Sequence, residues 1–464
     1  MKKIIATILT LIIVLVFCGG CGAVDEDYEK AIKDDVYATY ENMKSDLGNT
    51  PTTKAISAWL NTWANSNKLF SKSINDNGIV MEKEATDDYK KSESVTLQCN
   101  MNENNIKDFY QTAAIALTAL SDTENHGKLT LIFINGKKGA MNIPDKYLDT
   151  DNFINLTPCL QTSLYTGSAG TAEYQISKKM NYKSTTSSKA YKITISNCTG
   201  GDSSDRTKKH PNPIVTIGTL LNDCRRSNII FDLSAFNGGE NASTYPTYAT
   251  ATIVVNSNYE DKLVNKLKNA KDEYTNKYLK SESNMKYKIT SVSVPSKVFT
   301  EEDTDSIMSL MYTLEDGVYK TSEKNGKGDI LALSTIGRIS TKNNELKINI
   351  FGRSLDSDVM KEMNKAFADT ASLSDASFKI LSSSTIWPSD SDNKLAKSFI
   401  VAASQIDVSL KENSTFKENE SAIFYSKNEK LNIISLGVNI QDGLSATESI
   451  ILFIKSLGTS KTTL

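Results

Sequence analysis

The chain has 464 residues, 39% hydrophobic and 23% charged, which is enough for two or three domains with real cores. A formal net charge of -2 gives no electrostatic case for a nucleic-acid partner. Only 2 histidines occur, His126 and His210, which argues against a zinc site built from histidine.

The first residues read as a targeting segment. Lys2 and Lys3 supply a positive start, and Ile4 to Phe17 is an unbroken run of apolar residues and Thr. Its 14 residues are short for a permanent membrane span. Cys18-Gly19-Gly20-Cys21 follows, and the small residues before Cys21 resemble the bacterial lipobox, with Cys18 where leucine is usual. The resemblance implies cleavage before Cys21, diacylation of its sulfur, and anchoring on the outer face of the bacterial cytoplasmic membrane. The alternative is a plain secretory signal cut after Gly22 or Ala23. Outside the cytoplasm, disulfides can form.

Residues 21–27 read as an acidic tether. Tyr28, Ile32, Val36, Tyr40 and Met43 recur at helical spacing over Asp27 to Leu47. A second helix starts at Asn49-Thr50-Pro51, with Ile56, Trp59, Leu60 and Trp63 on one face. Ile74 to Glu82 and Ser94 to Cys99 read as strands, Ile106 to Leu120 as an alanine-rich helix, and Leu129 to Ile134 and Phe153 to Leu156 as buried strands. Helices alternating with buried strands predict a mostly parallel α/β sheet flanked by helices.

The pattern changes near residue 188. Ala190–Ser196, Ile229–Leu233, Thr247–Val255 and Tyr287–Val294 read as strands, and Ile214–Arg225 and Tyr259–Leu279 as helices. The order strand, helix, strand, strand, helix, strand predicts a ferredoxin-like α+β unit. A second round follows, with helices at Thr304–Leu314 and Asp358–Asp369 and strands at Ile330–Thr341, Glu345–Arg353 and Ser377–Ser382. Asn393–Val408 is an apolar helix, Ile433–Leu436 a buried strand and Ser445–Leu457 a final helix. The expected division is therefore 28–187 for the first half of the α/β domain, 188–386 for an inserted lid, and 387–464 for the second half. No tandem repeat is legible.

Ala332-Leu333-Ser334-Thr335-Ile336-Gly337-Arg338-Ile339-Ser340-Thr341, Phe351-Gly352-Arg353-Ser354, Phe236-Asn237-Gly238-Gly239 and Ile434-Ser435-Leu436-Gly437-Val438-Asn439-Ile440 fall in one collinear order. In that order the chain resembles, over roughly residues 45 to 460, the di-zinc metallopeptidase family that includes bacterial aminoacyl-histidine dipeptidase. The resemblance implies a di-zinc exopeptidase-like fold. It also implies two zinc ions that activate water and polarise a peptide carbonyl.

Position by position, the resemblance implies that most of the family's metal ligands and its general base are replaced. A G-H-x-D metal motif appears as Cys99-Asn100-Met101-Asn102. The bridging aspartate is matched by Asp108. The base and ligand glutamates fall near Gly136, Lys137 and Lys138, and a ligand aspartate is replaced near Thr157. The last ligand histidine is Leu444, before Ser445-Ala446-Thr447-Glu448, and the oxyanion-stabilising histidine is Asp202 in Gly200-Gly201-Asp202-Ser203. Asp108, Arg353 and Glu420 are the retained residues that would bind a ligand. Neutral amides are poor zinc ligands, and a charged lysine accepts no proton.

Four expectations follow. Lys137 or Lys138 pairs with Asp108 in place of metal, or both are solvated turn lysines. Cys99 and Cys159, at strand ends that converge on the old metal centre, form a disulfide or stay as buried thiols. Cys198 and Cys224 form a second disulfide in the insertion. Arg353 binds a ligand carboxylate or makes a salt bridge. The function expected is a non-catalytic module for a small peptide or amino acid, or a structural one. It carries no cofactor, meets the membrane through its lipid anchor, and pairs two copies through the lid. The competing expectation is a divergent hydrolase that keeps zinc or another arrangement.

Overall fold

The computed structural model describes residues 26–74, 78–101, 105–205, 211–323 and 328–459. Cys21, Asn102 and His210 lie outside the described residues. The chain forms two compact units, one from Met1–Gly167, Ser389–Ser414 and Asn419–Leu464, the other from Ser168–Pro388 and Thr415–Glu418.

The first unit opens with helices α1 (Glu26–Leu47) and α2 (Thr53–Ser66) and the hairpin strands β1 (Phe70–Ile74) and β2 (Gly78–Lys83). Then come β3 (Val95–Asn100), α3 (Ile106–Asp122), β4 (Leu129–Ile134), α4 (Gly136–Met141), β5 (Asn152–Pro158) and β6 (Ser163–Ser168). The second unit holds β7 (Gly170–Lys179), β8 (Tyr182–Ser184), β9 (Lys189–Ser196), β10 (Gly201–Asp202), α5 (Pro213–Arg226), β11 (Phe231–Gly238), β12 (Thr244–Tyr245) and β13 (Ala249–Val255). It continues with α6 (Ser257–Tyr278), β14 (Lys286–Val292), β15 (Lys297–Phe299), α7 (Glu301–Thr313), β16 (Gly317–Thr321), β17 (Ile330–Ser340), β18 (Glu345–Ser354), α8 (Ser357–Leu373) and β19 (Ser377–Ser383). The chain closes the first unit with α9 (Lys394–Ser404), β20 (Glu412–Thr415), α10 (Ser421–Lys427), β21 (Ile433–Val438) and α11 (Gly443–Thr459).

In the first unit an 8-stranded sheet runs β1-β2-β4-β3-β5-β21-β6-β20. The four central strands, β4, β3, β5 and β21, are mutually parallel. Being covered on both faces, they read as nearly continuous apolar runs. Strand alternation then sorts their side chains. Val95, Leu97, Cys99, Ile154, Leu156, Ile434, Leu436 and Val438 enter one core with residues of α1, α3, α9 and α11. The intervening residues face the opposite side, where Phe153 packs on Phe424 of α10 at 5.0 Å.

The second unit is built on a 9-stranded sheet ordered β14-β9-β13-β11-β17-β18-β7-β19, with β16 added to β17. The expected ferredoxin-like unit is present. Strands β9, β11, β13 and β14 stand in spatial order fourth, first, third, second, all neighbours antiparallel. The second round repeats it with β7, β17, β18 and β19 in the same order. The two halves meet where β11 meets β17, at Gly238 opposite Ile339. Gly239, at φ +70°, lies against the Gly337 carbonyl there, and a Cβ would come within 1.8 Å of that oxygen.

Three expectations need correcting. The expected boundary at 187/188 lies instead at 167/168, because β7 pairs with β18 along its whole length and so belongs to the second sheet. Asn135 to Gly139 is not a simple turn; Asn135 holds the N-cap position of the short helix α4, with its side chain donating to Thr53 instead. Cys198 and Cys224 are free thiols, each buried beside its own tyrosine, Tyr274 and Tyr287 respectively. Burial pushes both thiols up to about 12, so they stay protonated and unreactive.

Candidate functional site

The central strands of the first unit break their own rule at one level. Gln98, Asn155 and Ser435 stand opposite one another in register across β3, β5 and β21, on the face away from the helical core. All three are fully buried. Polar side chains at the centre of a parallel sheet cost free energy unless they are bonded, so their partners show what this level of the sheet is built for.

The covering segment is Asn419-Glu420-Ser421, at the start of α10. Asn155 Nδ2 donates to Asn419 Oδ1 at 2.9 Å and to Ser421 Oγ at 3.0 Å. Asn419 Nδ2 donates to Ser435 Oγ at 2.9 Å, and the hydroxyls of Ser435 and Thr157 lie 3.2 Å apart. Asn100, the last residue of β3, donates its amide to the Glu420 carboxylate and accepts from the Gly136 backbone N–H at 3.0 Å. Both amide atoms of Gln98 and the Oδ1 of Asn155 lack a hydrogen-bond partner.

Glu420 is the electrostatic centre of this cluster. Burial pushes its carboxyl up to about 7, against the opposing pull of the Gln98 amide and the Lys137 ammonium. Gln98 lies near enough to act on the carboxylate without making a well-formed bond. The cluster sits at the carboxyl ends of parallel strands, where open α/β sheets place their ligands. A carboxyl that titrates near neutrality can give or take a proton there.

The structure brings together Asn100 and Glu420, adds Thr157 through Ser435, and lets the charge of exposed Lys137 act on the Glu420 carboxyl. Asp108, in the first turn of α3, accepts from Asn105 Nδ2, and burial raises its carboxyl. Lys138 is an exposed helix residue. Leu444 packs against the helical core. Glu448 is buried in the second turn of α11, raised by burial and by Glu29. His126 is buried, with Nδ1 2.7 Å from the Gly127 carbonyl.

Of the two alternatives for Cys99 and Cys159, the structure has the free thiols. Cys99 stands in register with Leu156, three residues before Cys159. Three residues of strand span about 10 Å, beyond the roughly 4.4–6.8 Å that a disulfide tolerates between Cα atoms. Cys99 Sγ points instead to the Thr112 carbonyl at 3.5 Å, and Cys159 lies by Tyr165.

In the second unit Arg353 is buried and makes a salt bridge rather than standing free. It donates to Asp202 Oδ1 at 3.1 Å and to the Phe416 carbonyl at 3.0 Å, and its guanidinium lies 4.7 Å from the Phe351 ring centroid. Two residues expected separately at the site, Asp202 and Arg353, are thus partners.

Gln98, Asn155, Ser435, Asn419 and Ser421 were not expected from sequence. Their signal was visible: Thr96-Leu97-Gln98-Cys99, Ile154-Asn155-Leu156 and Ile434-Ser435-Leu436 each place a polar residue inside an apolar strand.

No protein-family model matches the chain. No curated protein matches it in sequence. Among solved structures, the chain is similar to the aminoacylhistidine dipeptidase of Vibrio alginolyticus, with 18% identity over 91% of this chain and 96% of that one, at a TM-score of 0.77. A hydantoinase/carbamoylase family amidase from Burkholderia ambifaria aligns at 9% identity over 92% of this chain and 96% of that one, with a TM-score of 0.49. A tripeptidase from Staphylococcus aureus aligns at 11% identity over 92% and 98%, with a TM-score of 0.46. The expected metallopeptidase-like α/β fold with its lid is therefore the fold of this chain.

The residues that the resemblance sets at the metal positions, in β3, α4, β5 and α11, are not zinc-ligand types. They are an amide, an ammonium, a hydroxyl and an aliphatic chain: Asn100, Lys137, Thr157 and Leu444. Among the described residues no group of three or more His, Cys, Asp or Glu gathers to hold a metal. Zinc selects thiolate, imidazole and carboxylate.

Proposed function

We propose that this chain is a lipid-anchored extracytoplasmic protein in which a peptidase-type fold serves as a non-catalytic module, binding a small peptide or amino acid or acting structurally. The observation that carries this is the Asn100–Glu420–Lys137 cluster. The Asn100 amide donates to the Glu420 carboxylate and the Lys137 charge acts on it, where the resemblance implies a metal pair. Zinc is not required by this arrangement, and no peptide hydrolysis is expected from it. Zinc content of the purified protein and turnover of aminoacyl-histidine dipeptides test it together. The expected result is sub-stoichiometric zinc and no hydrolysis. Stoichiometric zinc with dipeptide turnover overturns it.

One observation favours a second function. Glu420, titrating at about 7, suits general acid–base chemistry without metal. Hydrolysis that survives a chelator and is lost in Glu420→Gln would establish that alternative. The anchor has its own test: labelling with an alkyne fatty acid is expected in the parent and absent in Cys21→Ser.

A further inference from the structure

We propose that the edge of the first unit carrying the start of α1 rests against the lipid surface, and that the Asn100–Glu420 cluster faces away from the membrane. This rests on the Cys21 anchor proposed above. Five residue steps separate Cys21 from Glu26, where α1 begins. A chain spans at most about 3.6 Å per residue, so the start of α1 lies within roughly 18 Å of the acylated sulfur. A leash this short selects one edge of a folded unit.

Which edge it selects follows from contacts within the unit. The start of α1 lies beside the ends of α3 and α11: Lys455 sits 5.5 Å from the Tyr28 ring, and Asp122 and Glu124 act on the Tyr28 hydroxyl. The other end of α1 lies beside the start of α3. Tyr40 meets Tyr110 edge-on at 6.3 Å, and Tyr110 donates to the Gly48 carbonyl at 2.7 Å. Helix α1 therefore runs antiparallel to α3. Helix α3 itself leaves the carboxyl end of β3, just past Asn100, and returns towards the amino ends of the parallel strands. Its 17 residues cover about 25 Å. The tethered edge is thus the amino-end edge of the sheet, and the polar cluster lies at the opposite edge.

The charged groups at the start of α1 are mixed with an acidic excess, Asp27, Glu29, Asp34 and Asp35 against Lys30 and Lys33, and Tyr28 is 38% exposed. Mixed charge gives no strong attraction to anionic lipid, so the anchor sets the pose and salt should not alter it. An aromatic ring with a polar tip suits the head-group layer.

The test uses the full lipidated protein on phosphatidylethanolamine–phosphatidylglycerol vesicles that contain a head-group nitroxide lipid. Lys33→Cys and Lys138→Cys, each in a Cys159→Ser background, carry a fluorophore; Cys99, Cys198 and Cys224 are buried. Quenching at position 33 is expected to exceed that at position 138 by at least about threefold, in low and high salt alike. Equal quenching, or stronger quenching at 138, overturns the orientation while leaving the anchor intact. Protein that fails to float with the vesicles overturns the anchor and the orientation with it.

Discussion

Glu420 sets a pH dependence that can be worked out in sign. Its ordinary value is 4.5, and burial raises it to about 7 in the fold. Between those values the folded state keeps a proton that the unfolded chain has lost. The stability this confers is fully present below the lower value and is lost as pH rises through the upper one, by on the order of 3 kcal/mol. Asp108, also raised by burial, acts in the same direction. Glu420→Gln is expected to flatten most of that fall, read as urea midpoints at pH 5 and pH 8; equal slopes for parent and variant would falsify the assignment. Asn100 was legible because a motif of the resembled family marks its position. Gln98, Asn155 and Ser435 were visible only as polar interruptions of apolar strands. Nothing in one strand says that its polar residue lies level with two others, because register is a property of the assembled sheet.

At the scale of elements, the sheets of the second unit's two ferredoxin-like halves join where β11 meets β17. Gly239 combines a left-handed backbone with the close approach of the Gly337 carbonyl. Gly239→Ala meets both costs at once, so a loss of at least about 2 kcal/mol is expected in chemical denaturation. A near-neutral change would show that the β11–β17 junction shifts freely. Most strands and helices here were legible from period and punctuation, and the first half was assigned from its order alone. The first strand of the second half was missed. Ala172, Tyr174 and Ile176 alternate clearly in β7. Their partner strand β18 lies more than 160 residues further along, however, and nothing local ties the two.

At the scale of the whole molecule, no disulfide joins the cysteines among the described residues. Cys99, Cys159, Cys198 and Cys224 are free. Alkylation of the denatured protein is expected to count the same four thiols with and without prior reductant, by intact mass. A gain of two on reduction would show a bridge and a different arrangement of strand ends. No helix among the described residues is long and apolar enough to cross a membrane.

The sequence by itself determined the α/β character and the ferredoxin-like order of the insertion. Those follow from periodicity and from residue chemistry, which are local. Only the tertiary structure decided which residues meet: Glu420 with Asn100, Arg353 with Asp202, and Cys99 with a helix carbonyl rather than with Cys159. These pairings join segments up to 320 residues apart. Strand register and the covering segment at Asn419–Ser421 bring them together, and neither is encoded at either partner alone.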